Sequence, residues 1–275
     1  MKPDSFSPIR AMSAPKHILQ AGSDNPDNPA GAVRMEKEHI VKSFDSELNE
    51  LTHIIAQMGG LAEDQLANAI KALVRRDADL AAQVIVQDAR IDELELEADD
   101  QALRLLALRQ PKAVDLRAVL TSLKTATELE RIGDYAKNVA KRTATVVAAP
   151  PVGGAAGSLG RMASVVQGMI SNVLDAYINR DAAKAEDVRA RDAEVDQLHT
   201  SLFRELVTYM MEDPRNITAC THLLFIAKNI ERIGDHATNI AEYVLFLVAG
   251  KLPSDDRLKG DLSSSTLIHP EDAQK

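Results

Sequence analysis

Eleven residues occur twice in this chain, as ERIGDYAKNVA at Glu130–Ala140 and as ERIGDHATNIA at Glu231–Ala241, with eight of the eleven positions identical. Each copy lies in a stretch whose apolar residues are spaced by three and four, which predicts α-helix. The glycine inside each copy makes the helix less stable by about 1 kcal/mol than an alanine at the same position would. The repeat indicates a duplicated helical unit in which something packs closely against the backbone at the glycine.

The duplication extends well beyond these eleven residues. RRDADLA at Arg75 resembles NRDAAKA at Asn179, and DARIDEL at Asp88 resembles DAEVDQL at Asp192, at a nearly constant offset. Each half reads as three helices, and three helices can enclose one core. We therefore predict an all-α fold of two tandem, pseudo-symmetric three-helix bundles, with six helices in all.

Composition along the chain predicts where the units begin and end. Pro, Ser, Asn and Gly dominate the first residues, and APPVGGAAGS separates the two halves. Asp77 or Asp79 can cap the second helix, and Pro111 suits the first turn of the third. The predicted organisation is a disordered extension (1–35), a first three-helix repeat (36–148), a linker (149–158), a second three-helix repeat (159–252) and a flexible C-terminal tail (253–275).

The overall charge and the cysteine content restrict the class of protein. A formal charge of −9 without any basic stretch argues against a nucleic-acid partner and favours cations. The single cysteine, Cys220, rules out an intramolecular disulfide, which is consistent with a reducing compartment. The longest apolar run, YVLFLVAG, is too short to span a bilayer, and no signal peptide is recognisable. We expect a soluble cytoplasmic protein without a transmembrane segment.

Two acidic residues of each repeat point toward the interior of the bundle. Glu130 and Asp134 lie four residues apart, on the face of the helix that also carries Leu116, Leu120 and Leu123. Burying a carboxylate without a partner is unfavourable by roughly several kcal/mol. These groups therefore need cations or hydrogen-bond donors nearby. Exposed ion pairing does not explain their position.

The second helix of each half offers matching acidic pairs, also four residues apart. Clustered carboxylates raise one another's pKa unless a cation joins them, and oxygen ligands favour hard or borderline ions. The hypothesis is one acidic metal site in each half, holding iron, manganese, zinc or magnesium, possibly as a multinuclear cluster. The predicted ligands are Asp88, Asp92, Glu130 and Asp134 in the first half, and Asp192, Asp196, Glu231 and Asp235 in the second.

Other interpretations of the same residues remain open. The acidic residues could pair with neighbouring arginines in a polar helix contact, which would make the chain a metal-free helical scaffold. Asp196 and His199 have the spacing of the ligand pairs in ferritin-like di-iron proteins, which would suggest a di-iron carboxylate oxidoreductase. The first half has no such histidine, and we interpret His236 as a packing residue.

Four segments together resemble the PhoU family, regulators attached to bacterial phosphate-specific transport systems. They are LERIGDYAKNVAKR, IERIGDHATNIAEYV, LRQPKAVDLRAVLTSLK and FDSELNELTHIIAQMGGLAEDQLANAI. The resemblance implies two three-helix bundles, multinuclear metal clusters held by the paired acidic motifs, and a homodimer. It further implies negative regulation of phosphate uptake and of the phosphate-starvation response, through the transporter ATPase and a membrane sensor histidine kinase.

The chain also departs from a symmetric family pattern. Glu95 of the first half is replaced by His199, and DLR at Asp115–Arg117 has no counterpart in the second half. The two sites therefore need not bind the same ion. No nucleophile or glycine-rich phosphate loop is recognisable, so we expect a regulator rather than an enzyme. The apolar segment EYVLFLVAG, with Phe246 and Leu247, is either buried between the two halves or against the tail, or forms a contact surface for a partner.

Overall fold

A computed structural model describes residues 29–253, with side chains described from residue 43 onward. The chain divides into two units, residues 1–42 and residues 43–275, and the architecture given below is that of the second unit. Residues 1–28 of the predicted extension and residues 254–275 of the predicted tail lie outside the described residues.

Helices make up nearly all of the described chain. They are α1 (Pro29–Arg75), α2 (Ala78–Gln87), α3 (Ala89–Arg109), α4 (Val114–Ala148), α5 (Ala155–Asn179), α6 (Ala182–Glu212) and α7 (Ile217–Ala249), with a 3₁₀ turn at Pro214–Asn216. No β-strand occurs within residues 29–253, and the predicted all-α class is confirmed. In the same range, no helix combines the length and the apolar character that a membrane crossing requires.

The seven helices correspond to the six that the repeat predicts. The second helix of the first half is interrupted at Asp88 and becomes α2 and α3, whereas α6 runs without a break through Asp192. Asp88 keeps helical backbone angles (φ −55°, ψ −38°), and its side chain makes no capping hydrogen bond to α3. The first bundle is thus α1, α2 with α3, and α4, and the second is α5, α6 and α7.

The starts of the helices follow the predicted caps in part. Asp77 accepts a hydrogen bond from the backbone N of Leu80 at 2.9 Å, which confirms it as the cap of the second helix. The prediction for Pro111 is wrong, because α4 begins only at Val114. Ala113 has a φ of +49°, and this left-handed backbone conformation cannot be part of a right-handed helix.

Two helices also begin earlier than their predicted bundles do. The backbone of α1 is helical from Pro29, inside the predicted extension. The predicted linker at 149–158 is shortened to residues 149–154, since α5 starts at Ala155. Ala155 is fully buried and Val152 is 8% exposed, so part of the predicted linker belongs to the core, whereas Gly153, Gly154 and Gly157 are exposed.

Helices α4 and α7, which carry the repeated sequence, pack against each other and join the two halves. Their buried residues belong to one continuous core, which includes Leu129 and Ile132 of α4 and Ile230 and Ile233 of α7. The two bundles of residues 43–253 therefore share a hydrophobic interface along the repeated helices.

The apolar end of α7 is part of that core, which agrees with the interpretation that it is buried between the two halves and not with that of a contact surface for a partner. Val244, Leu245 and Leu247 are buried, and Phe246 is only partly exposed. Val248 is 45% exposed. The segment is apolar around most of the helix because α7 packs against helices of both bundles rather than of one.

Candidate metal centres

The acidic residues of the first half meet where α1, the junction of α2 and α3, and α4 come together. Asp88 is buried at the junction and accepts a hydrogen bond at 2.9 Å from Nε2 of Gln65 on α1. Its other carboxylate oxygen contacts Nζ of Lys137 on α4. The same ammonium group donates to Oδ1 of Asp134 at 2.8 Å. Lys137 therefore links two of the four predicted metal ligands.

Asp92 and Glu130 are the other two predicted ligands of the first half; Asp92 is exposed, and the side chain of Glu130 is 19% exposed. Loss of hydration and the neighbouring Asp88 raise the pKa of the exposed Asp92 carboxyl. Burial raises the pKa of Glu130 to about 7, with further contributions from Asp134 and Glu95. Protonated and ionised forms of Glu130 are thus close in free energy near neutral pH.

Gly133 explains the glycine in the first copy of the repeat. A Cβ atom at this position would lie 2.9 Å from Cδ1 of Ile91, 3.3 Å from Oε1 of Gln65 and 3.4 Å from Oδ1 of Asp88. The absence of a side chain allows α3 and Gln65 to approach the α4 backbone beside the carboxylates, as the sequence predicts. At Gly234 the predicted close packing is wrong, because the atom nearest to a Cβ there, Cγ1 of Val195, would be at 3.5 Å, an ordinary van der Waals distance.

The acidic residues of the second half are more deeply buried. Asp192, Asp196 and His199 on α6, and Glu231 on α7, are each at most 7% exposed. Asp235 lies one turn beyond Glu231 and is partly exposed. All four predicted ligands of this half thus lie on the two helices that the sequence predicts, together with a buried imidazole.

Glu231 is the most unusual carboxylate of this second cluster. Lys228 donates to its Oε1 atom at 2.7 Å. Its Oε2 atom is buried and accepts no hydrogen bond from any part of the chain that the structure describes. Burial raises the pKa of Glu231, and Lys228 opposes that rise. An orphaned buried carboxylate oxygen is an acceptor that a bound cation would satisfy.

Neither cluster is arranged as a complete metal-ion site in the part of the chain that the structure describes. In residues 43–253, no three His, Cys, Asp or Glu side chains converge in an arrangement that could hold one. The second cluster nevertheless has suitable donor types, carboxylate oxygens with an imidazole nitrogen, and an orphaned oxygen on Glu231. Each cluster already contains an ammonium group, since Lys137 contacts Asp88 and Asp134 in the first and Lys228 contacts Glu231 in the second.

The comparisons with known proteins account for the repeat and for the bundles. The family model described as PhoU domain matches the chain twice, over residues 55–143 and 159–244. The phosphate-specific transport system accessory protein PhoU homolog of Caulobacter vibrioides is 51% identical over 227 residues, which are 82% of this chain and 99% of that protein. The chain belongs to the PhoU family. The resemblance stated from the sequence is thereby confirmed.

Further PhoU proteins agree in sequence and in fold. The homolog of Rhizobium meliloti is 48% identical over 231 residues, covering 84% of this chain and 98% of its own. The crystal structure of PhoU from Pseudomonas aeruginosa superposes with a TM-score of 0.74 at 40% identity, over 76% of this chain and all of that one. PhoU from Streptococcus pneumoniae, described as a phosphate transport system regulatory protein, superposes with a TM-score of 0.71 at 29% identity. The match covers 77% of this chain and all of that one.

A polar cluster between the two PhoU domains was not predicted from the sequence. Glu128 of α4 accepts hydrogen bonds from three residues of α7, namely Nδ1 of His236 at 2.5 Å, Nδ2 of Asn239 at 3.1 Å and the hydroxyl of Tyr243 at 3.1 Å. His236 also stacks on Tyr135, with ring centroids 5.4 Å apart. His236, interpreted from the sequence as a packing residue, thus packs on Tyr135 and pairs with Glu128.

The contacts of Lys137 and Gln65 with Asp88 were also not predicted from the sequence, although the PhoU repeat contains a signal for Lys137. Lys137 is one of three positions at which the two repeated segments differ, and Thr238 stands at the corresponding place. Comparing the differing positions, rather than the identical ones, would have singled out this lysine. Gln65 carries no such signal, because Met169 occupies the matching position and nothing local connects α1 with Asp88.

Proposed function

We propose that this protein is an accessory protein of a phosphate-specific transport system and represses phosphate uptake and the phosphate-starvation response when phosphate is abundant. The observation that carries this proposal is the identity of about half of all residues with a phosphate-specific transport system accessory protein, over 99% of that protein's length. A similarity of this extent covers both PhoU domains and the boundary between them. The family relationship supports a regulator without catalytic turnover.

The partners that we propose are the ATPase of the phosphate transporter and a membrane sensor histidine kinase, with the protein acting in the cytoplasm as a homodimer. Several apolar side chains on the surface of the described residues could contribute to such contacts. Phe225 is 50% exposed on α7, and Leu96 and Leu103 of α3 are 68% and 60% exposed. Protein interfaces commonly place such apolar residues at their centre.

The function is tested in a bacterial strain whose own PhoU gene is deleted. Expression of this chain should lower phosphate uptake and a phosphate-starvation reporter at high phosphate, compared with an empty vector. A transporter ATPase carrying an affinity tag should retain the chain from the same cells. An unchanged reporter together with no retention of the chain would contradict the proposal.

We further propose that the paired acidic motifs bind metal ions, as expected from the sequence. The second cluster supports this part of the proposal best, because Glu231 has an orphaned buried oxygen. A di-iron enzyme is less well supported, since only the second half contains an acidic residue and a histidine at the required spacing.

Metal binding is tested by elemental analysis of protein purified without chelators. Glu231→Ala combined with Asp235→Ala should lower the amount of bound metal, because it deletes carboxylate ligands of the second cluster. Glu97→Ala, which removes an exposed carboxylate of α3, is the matched control and should leave the metal content unchanged. Equal metal content in all three proteins would exclude the second cluster as the site.

A further inference from the structure

The first turns of α4 expose an apolar face in the part of the chain that the structure describes. Leu116 and Leu120 are 36% and 39% exposed, and they lie on one side of the helix because they are four residues apart. Lys124 continues this side by one turn, and its Nζ atom lies 4.9 Å from the centre of the Tyr243 ring on α7. The exposed leucines are therefore on a side of α4 that borders α7.

The chain leaves α7 beside the same part of α4. Gly250 follows the last residue of α7 with a φ of +74°, and a Cβ atom at this position would collide with Nη1 of Arg117. Nε of Arg117 is buried and has no hydrogen-bond partner among the described residues. Arg117 also adjoins Leu116 in the sequence. The last described residues thus start out next to an incompletely satisfied guanidinium group and an apolar surface.

The sequence that continues from this point carries the groups that would complement that surface. Asp255 and Asp256 come five and six residues after Gly250, and Leu258 and Leu262 follow them. An extended chain covers about 3.3 Å per residue, so roughly 17 Å of chain is available between Gly250 and Asp255. An acidic side chain of this pair can therefore return to the guanidinium group beside Gly250.

The two leucines of this segment match the exposed face in the same way. Leu258 and Leu262 are four residues apart in the sequence, as Leu116 and Leu120 are. The two α4 leucines are separated by a helical rise of only about 6 Å, so a few residues of chain span both of them. The segment also follows directly on α7, and a short connection keeps the entropic cost of closing the loop low.

We propose that residues 254–262 dock on this face of their own chain, with Asp255 or Asp256 bound to Arg117 and with Leu258 and Leu262 packed on Leu116 and Leu120. A carboxylate can accept two hydrogen bonds from a guanidinium group, and removal of the leucines from water adds to the stability of the contact. Another protein that binds this face must first displace the segment. This inference depends neither on the proposed function nor on metal binding.

The test measures disulfide formation in the full-length chain, whose single native cysteine, Cys220, is buried. Under mild oxidation, Leu120→Cys with Leu262→Cys should form a disulfide within one chain many times faster than Lys141→Cys with Leu262→Cys does. Lys141 is the matched control, because it is exposed on the same helix about 30 Å further along. Mass spectrometry of the digested monomer identifies the linked pair.

Two results of this experiment would overturn the proposal. Equal rates for the two cysteine pairs would show that the segment does not prefer the start of α4. A disulfide between two chains, detected as a covalent dimer that depends on protein concentration, would assign the face to a second copy of the protein instead.

The ion pair is tested in the same Leu120→Cys, Leu262→Cys protein. Arg117→Glu should slow disulfide formation, because it replaces an attraction with a repulsion, and Asp255→Lys with Asp256→Lys should then restore the rate. Asp255→Asn with Asp256→Asn, which leaves α4 unchanged, should also slow the reaction and keeps the test valid if Arg117→Glu impairs folding. Rates that are insensitive to the Asn substitutions would overturn the proposed contact with Arg117.

Discussion

At the scale of single residues, identical residues in the two copies of the repeat have different environments. Gly133 allows Ile91 and Gln65 to approach the α4 backbone, whereas Gly234 leaves ordinary van der Waals room. Asp134 shares a lysine with Asp88, and its counterpart Asp235 lies in a half where a threonine replaces that lysine. Duplication preserved the residues while their surroundings diverged.

The paired glycines give the first prediction. Gly234→Ala should raise the free energy of unfolding by up to about 1 kcal/mol, because alanine favours helix and its Cβ fits. Gly133→Ala should lower it, since the Cβ would lie 2.9 Å from the buried Cδ1 of Ile91. Urea unfolding of both variants measures the difference. Equal effects would show that close packing at Gly133 is unimportant.

Glu128 gives the second prediction. Burial raises the pKa of its carboxyl, but hydrogen bonds from His236, Asn239 and Tyr243 outweigh burial and leave the pKa below its usual value. The stability that these bonds provide is therefore present above the pKa of glutamate in the unfolded chain. It is lost as the pH falls through the lower folded-state pKa.

Glu128→Gln should thus destabilise the protein by about 1.5–3 kcal/mol at neutral pH, the range for hydrogen bonds to a charged group. The difference from the wild type should shrink as the pH falls from about 7 to about 3, where the carboxyl becomes protonated. Melting temperatures across this range, with the exposed Glu97→Gln as the control, provide the measurement. A difference that is independent of pH would contradict the ionised hydrogen-bonded state of Glu128.

At the scale of elements, corresponding helices of the two halves differ in continuity. The second helix of the first half is interrupted at Asp88, whose side chain bonds to α1 and α4, whereas α6 continues through Asp192. The end of α7 shows how position within the fold determines the role of an apolar helix. It lies against helices of both bundles, so its apolar residues form core rather than surface.

Two neighbouring residues at this end of α7 give the third prediction. Leu247→Asp should destabilise the chain by about 3–5 kcal/mol, because it places a charge without a partner at a position that is 6% exposed. Val248→Asp, at a position that is 45% exposed, should have little effect on stability. Circular dichroism melts compare the two variants. A stable, folded Leu247→Asp protein would show that this segment is exposed and not part of the core.

At the scale of the whole molecule, α4 and α7 make the two bundles depend on each other. Buried residues of both helices belong to one core, and Ser122 of α4 bonds to the hydroxyl of Tyr177 on α5 at 2.7 Å. The polar contacts of Glu128 cross the same boundary. Separating the halves would expose these apolar faces and leave the buried polar groups without partners.

The fourth prediction follows from this shared interface. The intact chain should unfold in a single calorimetric transition, because each bundle stabilises the other. Residues 36–148 or 159–252 expressed alone should aggregate or melt at a much lower temperature, and co-expression of both pieces should restore a stable complex. Two separate transitions in the intact chain would show that the bundles fold independently.

The sequence by itself determined the all-α class, the duplication, the six-helix plan and the positions of the acidic pairs. These features depend on periodicity and spacing within single helices, which a linear sequence displays directly. It also located the cap at Asp77 and the close approach at Gly133, since both are local properties of a helix and its composition.

Only the tertiary structure decided how the two halves differ. The contact of Lys137 with Asp88, the hydrogen bonds of Glu128 with α7 and the burial of Leu247 join residues far apart in the chain. Such contacts depend on which face of each helix meets which neighbour, and helical periodicity identifies an apolar face without specifying its partner. The same repeated segment therefore places a lysine between two aspartates in one half. In the other half, a lysine pairs with Oε1 of Glu231, and Oε2 is a buried acceptor without a hydrogen bond among the described residues.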